Sequence, residues 1–191
     1  MTVTPSSMQP LGMNAPDFSL PDVVTDTTIS LADFAEKKAL LIIFLSRHCP
    51  YVQHVKEELT SIGNDYQEQD VAIVAISSND IESHPQDSPQ SLKEFALEEN
   101  FPFPILYDET QEVARAYHAT CTPDFYLFNE SRELVYRGQL DDSRPGNNQP
   151  LTGNDVRAAL DAVLSDEAVP VEQKPSTGCN IKWKPDNEPA A

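Results

Sequence analysis

Basic residues are scarce in this chain: thirteen Lys and Arg stand against thirty-one Asp and Glu, a formal net charge of −18. A surface this acidic repels phosphate backbones and anionic membranes, which argues against nucleic-acid or membrane partners. Long apolar runs are also missing. The longest, Ala39 to Leu45, is far shorter than the roughly 20 residues that a membrane-spanning helix needs. Cysteine is limited to Cys49, Cys121 and Cys179, which is too few and too widely spaced for a disulfide framework or a zinc module. The histidines, His48, His54, His84 and His118, show no ligand spacing with carboxylates or cysteines, so neither a metal nor another cofactor is expected. No stretch repeats itself. The first basic residue is Lys37, so the positively charged start of a secretory signal is missing and a cytoplasmic protein is expected. In a reducing compartment three thiols are either inert or catalytic.

What is present is enough for one domain with a real core: 191 residues, 39% of them apolar. Residues 1–13 read as a loose leader, 14–165 as the folded domain, and 166–191 as a proline-interrupted tail carrying Cys179. Within the domain, Asn14 to Asp22 suits an edge strand and Ile29 to Phe34 a short strand or turn. Ala39 to Leu45 reads as a central strand buried on both faces. Val52, Val55, Leu59, Ile62 and Tyr66 then fall on one helical face, with Pro50 favourable at the helix start. Val71 to Ile76 is a second buried strand, followed by a polar loop and a helix with Leu92, Phe95 and Ala96 inside. A strand at Ile105 to Tyr107, a helix over Gln111 to Tyr117, and a hairpin of Asp124 to Phe128 with Glu133 to Arg137 follow. Thr152-x-x-Asp155 reads as a capping box opening a last helix. The order describes an α/β fold of thioredoxin-like arrangement, a mixed central sheet with helices on both faces.

In such sheets chemistry gathers beyond the C-terminal ends of the strands, where Cys49 falls between a strand and a helix. Backbone N–H groups and the positive end of the helix dipole favour its thiolate, and Arg47 and His48 stand beside it. Cys49 is therefore the candidate nucleophile, against the plainer reading of a small packed apolar residue. Cys121 precedes Thr122 and Pro123 at a strand start, a place that permits a cis bond. Packed thiol and site residue are equally good readings of it. Cys179 has Lys182 and Lys184 nearby, which would favour a resolving thiolate; the plainer reading is a solvated tail thiol. Ile181 and Trp183 argue that the tail docks on the body. Asp141-Asp142-Ser143-Arg144-Pro145-Gly146 reads as a polar turn, and Arg137 as a surface charge.

Gly12-Met13-Asn14-Ala15-Pro16-Asp17-Phe18 resembles the opening of the alkyl hydroperoxide reductase and thiol-specific antioxidant group. His48-Cys49-Pro50-Tyr51-Val52, Ser78-Asn79-Asp80, Cys121-Thr122-Pro123-Asp124-Phe125, the Asp141 turn and Gly178-Cys179-Asn180-Ile181-Lys182-Trp183-Lys184 together resemble its peroxiredoxin-like thioredoxin-fold branch, the redoxins. The resemblance implies a cis-proline at Pro123 facing the nucleophile, with Cys121 near Cys49. It also implies a site shaped by His48, Pro50, Thr122 and Pro123. The departures matter equally. Val52 stands where thioredoxins carry their second cysteine, which is also where peroxiredoxins carry the attacking one. Cys49 stands in place of the peroxiredoxin threonine, and Ile43 in place of the buried thioredoxin aspartate.

Three functions are compatible with these residues. The favoured one is a thiol–disulfide oxidoreductase in which Cys49 attacks a protein or small-molecule disulfide and Cys121 or Cys179 closes the exchange, with a thiol reductant such as thioredoxin or glutathione. The others are a thiol peroxidase and a non-catalytic binding protein. The expected working pair is Cys49 with Cys121.

Overall fold

The computed structural model describes residues 2–190. In chain order its strands and helices are β1 (Val3–Pro5), β2 (Ser19–Pro21), β3 (Thr28–Ser30), β4 (Ala39–Phe44), α1 (Pro50–Tyr66), β5 (Val71–Ser77), α2 (Pro89–Glu98), β6 (Ile105–Tyr107), α3 (Glu112–Ala116), β7 (Cys121–Thr122), β8 (Asp124–Phe128), β9 (Leu134–Gly138), α4 (Asn154–Leu164) and β10 (Thr177–Asn180). The five-stranded central sheet runs β6-β5-β4-β8-β9. Its β4, β5 and β6 are parallel, while β8 and β9 are antiparallel additions. The apolar run at 39–44 lies in the middle because every one of its residues is buried, one set on each face.

That alternation builds two cores. Leu41, Ile43 and Leu45 face Val52, Val55 and Leu59 of α1, Phe95 of α2 and Leu160 of α4. Leu40, Ile42 and Phe44 face Val113 of α3, Tyr117, Tyr126, Phe128 and, from the C-terminal segment, Ile181. Truncating such a side chain to alanine leaves a cavity and costs about 2–5 kcal/mol. Helices thus cover both faces, and the chain after β9 supplies part of the second core.

The ends of the chain are built in. Residues 3–5, expected in a loose leader, pair with β10, and β10 pairs in turn with β7. Within 14–22 the only strand is β2, which pairs with β3 outside the central sheet, while single antiparallel bridges join Asp22 to Leu106 of β6 and Asn14 to Glu133. Prolines at 16 and 21 remove donors that a longer strand would need. The capping box at 152–155 does not form. Gly153 is the N-cap of α4 with φ +67°, and the Asp155 carboxylate instead accepts from Gln139 Nε2 at 2.7 Å. The Asp141 carboxylate takes over part of the cap, accepting from the backbone N–H of Thr152 and Gly153 at 2.8 and 2.7 Å.

Candidate active site

Cys49 is the N-cap of α1, with extended backbone angles and Pro50 in the first turn. The strand before it and the helix after it are both fixed by apolar packing, so the sulfur is held where the unpaired N–H groups of the first turn converge. Its side chain is fully buried. As a thiol it donates to the Thr122 carbonyl at 3.3 Å. As a thiolate it is stabilised first by the Cys179 thiol, then, against the opposing effect of burial, by the Thr122 hydroxyl and the N–H groups of Val52 and Cys179. Together these bring its pKa down to about 5.

Cys179 reaches this position through strand register. It stands opposite Thr122 in the antiparallel pair, and Asn180 stands opposite Cys121. Directly opposed residues share a face, so Cys179 and Thr122 look toward Cys49 together. Cys179 is buried, and donating its proton to Cys49 pushes its own pKa upward, as does burial. Gly178 makes the approach possible: a Cβ there would lie 1.9 Å from the Thr122 carbonyl oxygen. The tail is therefore not a solvated segment at this point.

Cys121 occupies a different environment. Burial, and then the nearby Asp124, push its thiol pKa well up. The Thr122–Pro123 peptide is cis, as the resemblance implies. The thiol that hydrogen-bonds to Cys49 is Cys179, whereas Cys121 is the partner expected to form a disulfide with it. The reason is the period of two along a strand: Cys121 and Thr122 point to opposite sides, and Thr122 takes the side of the nucleophile.

Next to Cys49, His48 Nδ1 lies 2.5 Å from Asp87 Oδ2. The fully buried Asp87 also accepts from Asn79 Nδ2 at 2.9 Å and from the Arg47 N–H at 2.6 Å. Burial works to raise its pKa, but the His48, Asn79 and Arg47 donors outweigh it and hold the carboxyl below its usual range. His48 Nε2 is buried with no hydrogen-bond partner among the described residues, and the His84 ring lies 5.0 Å away. Asp87 was not legible as a site residue, lying some 40 positions from Cys49 with no local spacing to link them, and Asn79 stood in a motif of the resemblance without a role. Asp124 stood in the motif at 121–125 without a role assigned to it. It is fully buried on β8, paired with Phe44 of β4 and accepting from the Tyr126 hydroxyl at 3.1 Å, and burial drives its pKa up to about 8.

The remaining polar motifs hold structure. Asp141 caps α4 as described, His54 Nε2 meets Ser143 Oγ at 2.7 Å, and Arg144 bonds Gln139 Oε1 at 2.7 Å. Arg137 is tied to Gln9 O and Gln173 Oε1 at 2.7 and 2.8 Å instead of standing free as a surface charge. Among the described residues no cluster of His, Cys, Asp and Glu is placed to hold a metal ion, and no helix is long and apolar enough to cross a membrane.

Solved thiol-disulfide oxidoreductase and interchange domains from Bacteroides vulgatus and Chlorobium tepidum, each 18% identical, superpose with TM-scores of 0.63 and 0.62. The fold is thus thioredoxin-like. The chain belongs to the AhpC/TSA family, whose model matches residues 11–137. It is 30% identical over 108 residues to Peroxiredoxin 2 of Picrophilus torridus, a match covering 56% of this chain and 52% of that protein, so it spans about half of that relative's length. It is 27% identical over 129 residues to the thiol-disulfide oxidoreductase ResA of Halalkalibacterium halodurans, covering 68% of each chain. A conserved protein from Geobacillus kaustophilus, 53% identical, covers 97% of this chain and 98% of its own with a TM-score of 0.96.

Proposed function

We propose that the protein is a thiol–disulfide oxidoreductase in which Cys49 is the nucleophile and Cys179 the resolving thiol. The observation that carries this is the hydrogen bond from the Cys179 thiol to a Cys49 sulfur whose pKa lies near 5. The similarity to a thiol-disulfide oxidoreductase over 129 residues supports it.

In the first step the Cys49 thiolate attacks one sulfur of a substrate disulfide. A Cys49–substrate disulfide forms, and the other substrate sulfur leaves as a thiolate that takes a proton from solvent. Cys49 then carries no charge, which removes one of the influences holding the Cys179 pKa high. Cys179 releases its proton to solvent, and the Tyr51 N–H and Lys182 favour the thiolate that results. This thiolate attacks Cys49 and expels the second substrate sulfur. Two protein thiols have been oxidised and one substrate disulfide reduced, and an external dithiol restores the protein.

Trapping tests the reading. Cys179→Ser should accumulate long-lived mixed disulfides at Cys49, Cys49→Ser none, and Cys121→Ser should turn over like the parent protein. Trapping by Cys121→Ser instead would return the resolving role to Cys121. Rapid hydrogen peroxide consumption that survives Cys179→Ser would identify a peroxidase.

A further inference from the structure

Cys49 and Cys179 are both buried, and the segment that covers Cys49 is the strand that carries Cys179. β7 has two residues and forms one edge of its own sheet, in the order β1-β10-β7, so in that sheet β10 is its partner. With β10 gone, the backbone groups of Cys121 and Thr122 that it pairs would be an open template for an extended chain. Taking the place of β10 would bring a disulfide on a macromolecule to the Cys49 sulfur along the backbone of β7.

We infer that Thr177–Asn180 occupies the substrate's position, and that the peptide this site takes is an extended segment with glycine immediately before its reactive cysteine. The inference rests on the oxidoreductase reading above and adds to it a recognition rule. The rule comes from Gly178: any side chain at the residue paired beside Thr122 and preceding the thiol meets the Thr122 carbonyl at 1.9 Å, and backbone does not yield as a flexible side-chain tip does. Pairing with β7 supplies affinity through main-chain hydrogen bonds, and the glycine position supplies selection.

Substrate entry must part β10 from β7 while β1 stays paired to it and moves with it, and contacts at both ends of the strand must part as well. Ser176 Oγ donates to the Pro123 carbonyl at 2.6 Å and Ser6 N–H to the Ser176 carbonyl at 2.8 Å. Beyond the strand, Lys182 N–H donates to Asn79 Oδ1 at 2.8 Å, and the Lys182 carbonyl accepts from Asp80 N–H at 2.8 Å. Substrate displaces the strand, the mixed disulfide forms, and the returning strand delivers Cys179 to Cys49. Displacement and resolution are then one motion in two directions.

The test uses the full-length Cys179→Ser protein, reduced, and two probes: the acetylated, amidated peptides Thr-Gly-Cys-Asn-Ile and Thr-Val-Cys-Asn-Ile, each joined through its cysteine to thionitrobenzoate. Cys49 attacks the peptide sulfur, the peptide–thionitrobenzoate bond breaks, and thionitrobenzoate leaves as the coloured thiolate; mass spectrometry counts the Cys49–peptide adduct. The glycine peptide should react about ten-fold faster or more than the valine peptide. Adding Gly178→Val, which forces the strand off β7, should accelerate the glycine-peptide adduct further, by about ten-fold. Equal rates for the two peptides overturn the inference. That comparison needs only Cys179→Ser, so it decides the matter even where Gly178→Val does not fold. A small symmetric disulfide, bis(2-hydroxyethyl) disulfide, separates the two levels. If Cys49 fails to react with it, the oxidoreductase reading falls; if it reacts but the peptides are not distinguished, only the recognition rule falls.

Discussion

Cys179 stands directly opposite Thr122 across an antiparallel pair, and that register carries a thiol from the far end of the chain to the N-terminus of the first helix. The register lowers the pKa of the Cys49 thiol and raises that of Cys179, while burial and Asp124 raise that of Cys121.

One thiolate should therefore titrate in the acid range. Ultraviolet thiolate absorbance of the reduced protein should rise by one equivalent with a midpoint near pH 5 and stay level to pH 8. Cys49→Ser should abolish the step. Cys179→Ala, which removes the largest stabilising donor, should move it up by more than one pH unit. An unchanged midpoint in that variant would remove the hydrogen bond from the account.

Mild oxidation should join Cys49 to Cys179 and leave Cys121 as a thiol. Peptide mapping without reductant reads this directly. A Cys49–Cys121 peptide as the main product would contradict the register argument.

Asp124 should make the fold less stable as pH rises. Unfolded, its carboxyl ionises near pH 4; folded, near 8, because it is buried. Between those values the native state holds a proton that the unfolded state has released, so this residue lowers unfolding free energy by up to about 1.4 kcal/mol per pH unit. Urea denaturation of Asp124→Asn from pH 4.5 to 8 should show this decline flattened. A parallel decline in both proteins would mean that the carboxyl does not titrate there.

Asp87 works in the opposite sense. Its folded pKa lies below the unfolded value, so its contribution is present above about pH 4 and is lost as pH falls through the folded pKa. Asp87→Ala leaves the His48, Asn79 and Arg47 donors without their acceptor and should lower stability by about 3–5 kcal/mol at pH 7. A loss below about 1 kcal/mol would show that water replaces the carboxylate freely.

Trp183, the only tryptophan, packs against the second core beyond β10. Its emission should lie to the blue of free tryptophan and resist acrylamide, and Gly178→Val should shift it red by loosening the strand. Full exposure in the parent protein would be inconsistent with the docked strand.

The apolar pattern alone determined the central architecture. Ala39 to Leu45 is apolar at every position and could only be buried on both faces, and the spacing from Val52 to Tyr66 could only be one face of a helix. Cys49 was legible for the same reason: a cysteine between such a strand and such a helix must sit at the helix N-terminus. Local chemistry was a poorer guide where the competing partner is distant, as at Thr152 and Asp155, where Asp141 takes over part of the cap of α4 from eleven residues away. The identity of the thiol beside Cys49 was decided by tertiary structure alone. Thr122 and Cys121 are adjacent in sequence, but strand alternation turns them to opposite sides, and which side faces Cys49 depends on the pairing with a strand more than fifty residues later. The same holds for Asp87, which becomes a partner of His48 only after two parallel strands and their connections have formed. Periodicity is a property of neighbouring residues and can be read along the chain, whereas register between distant segments is set by the packing of the whole molecule.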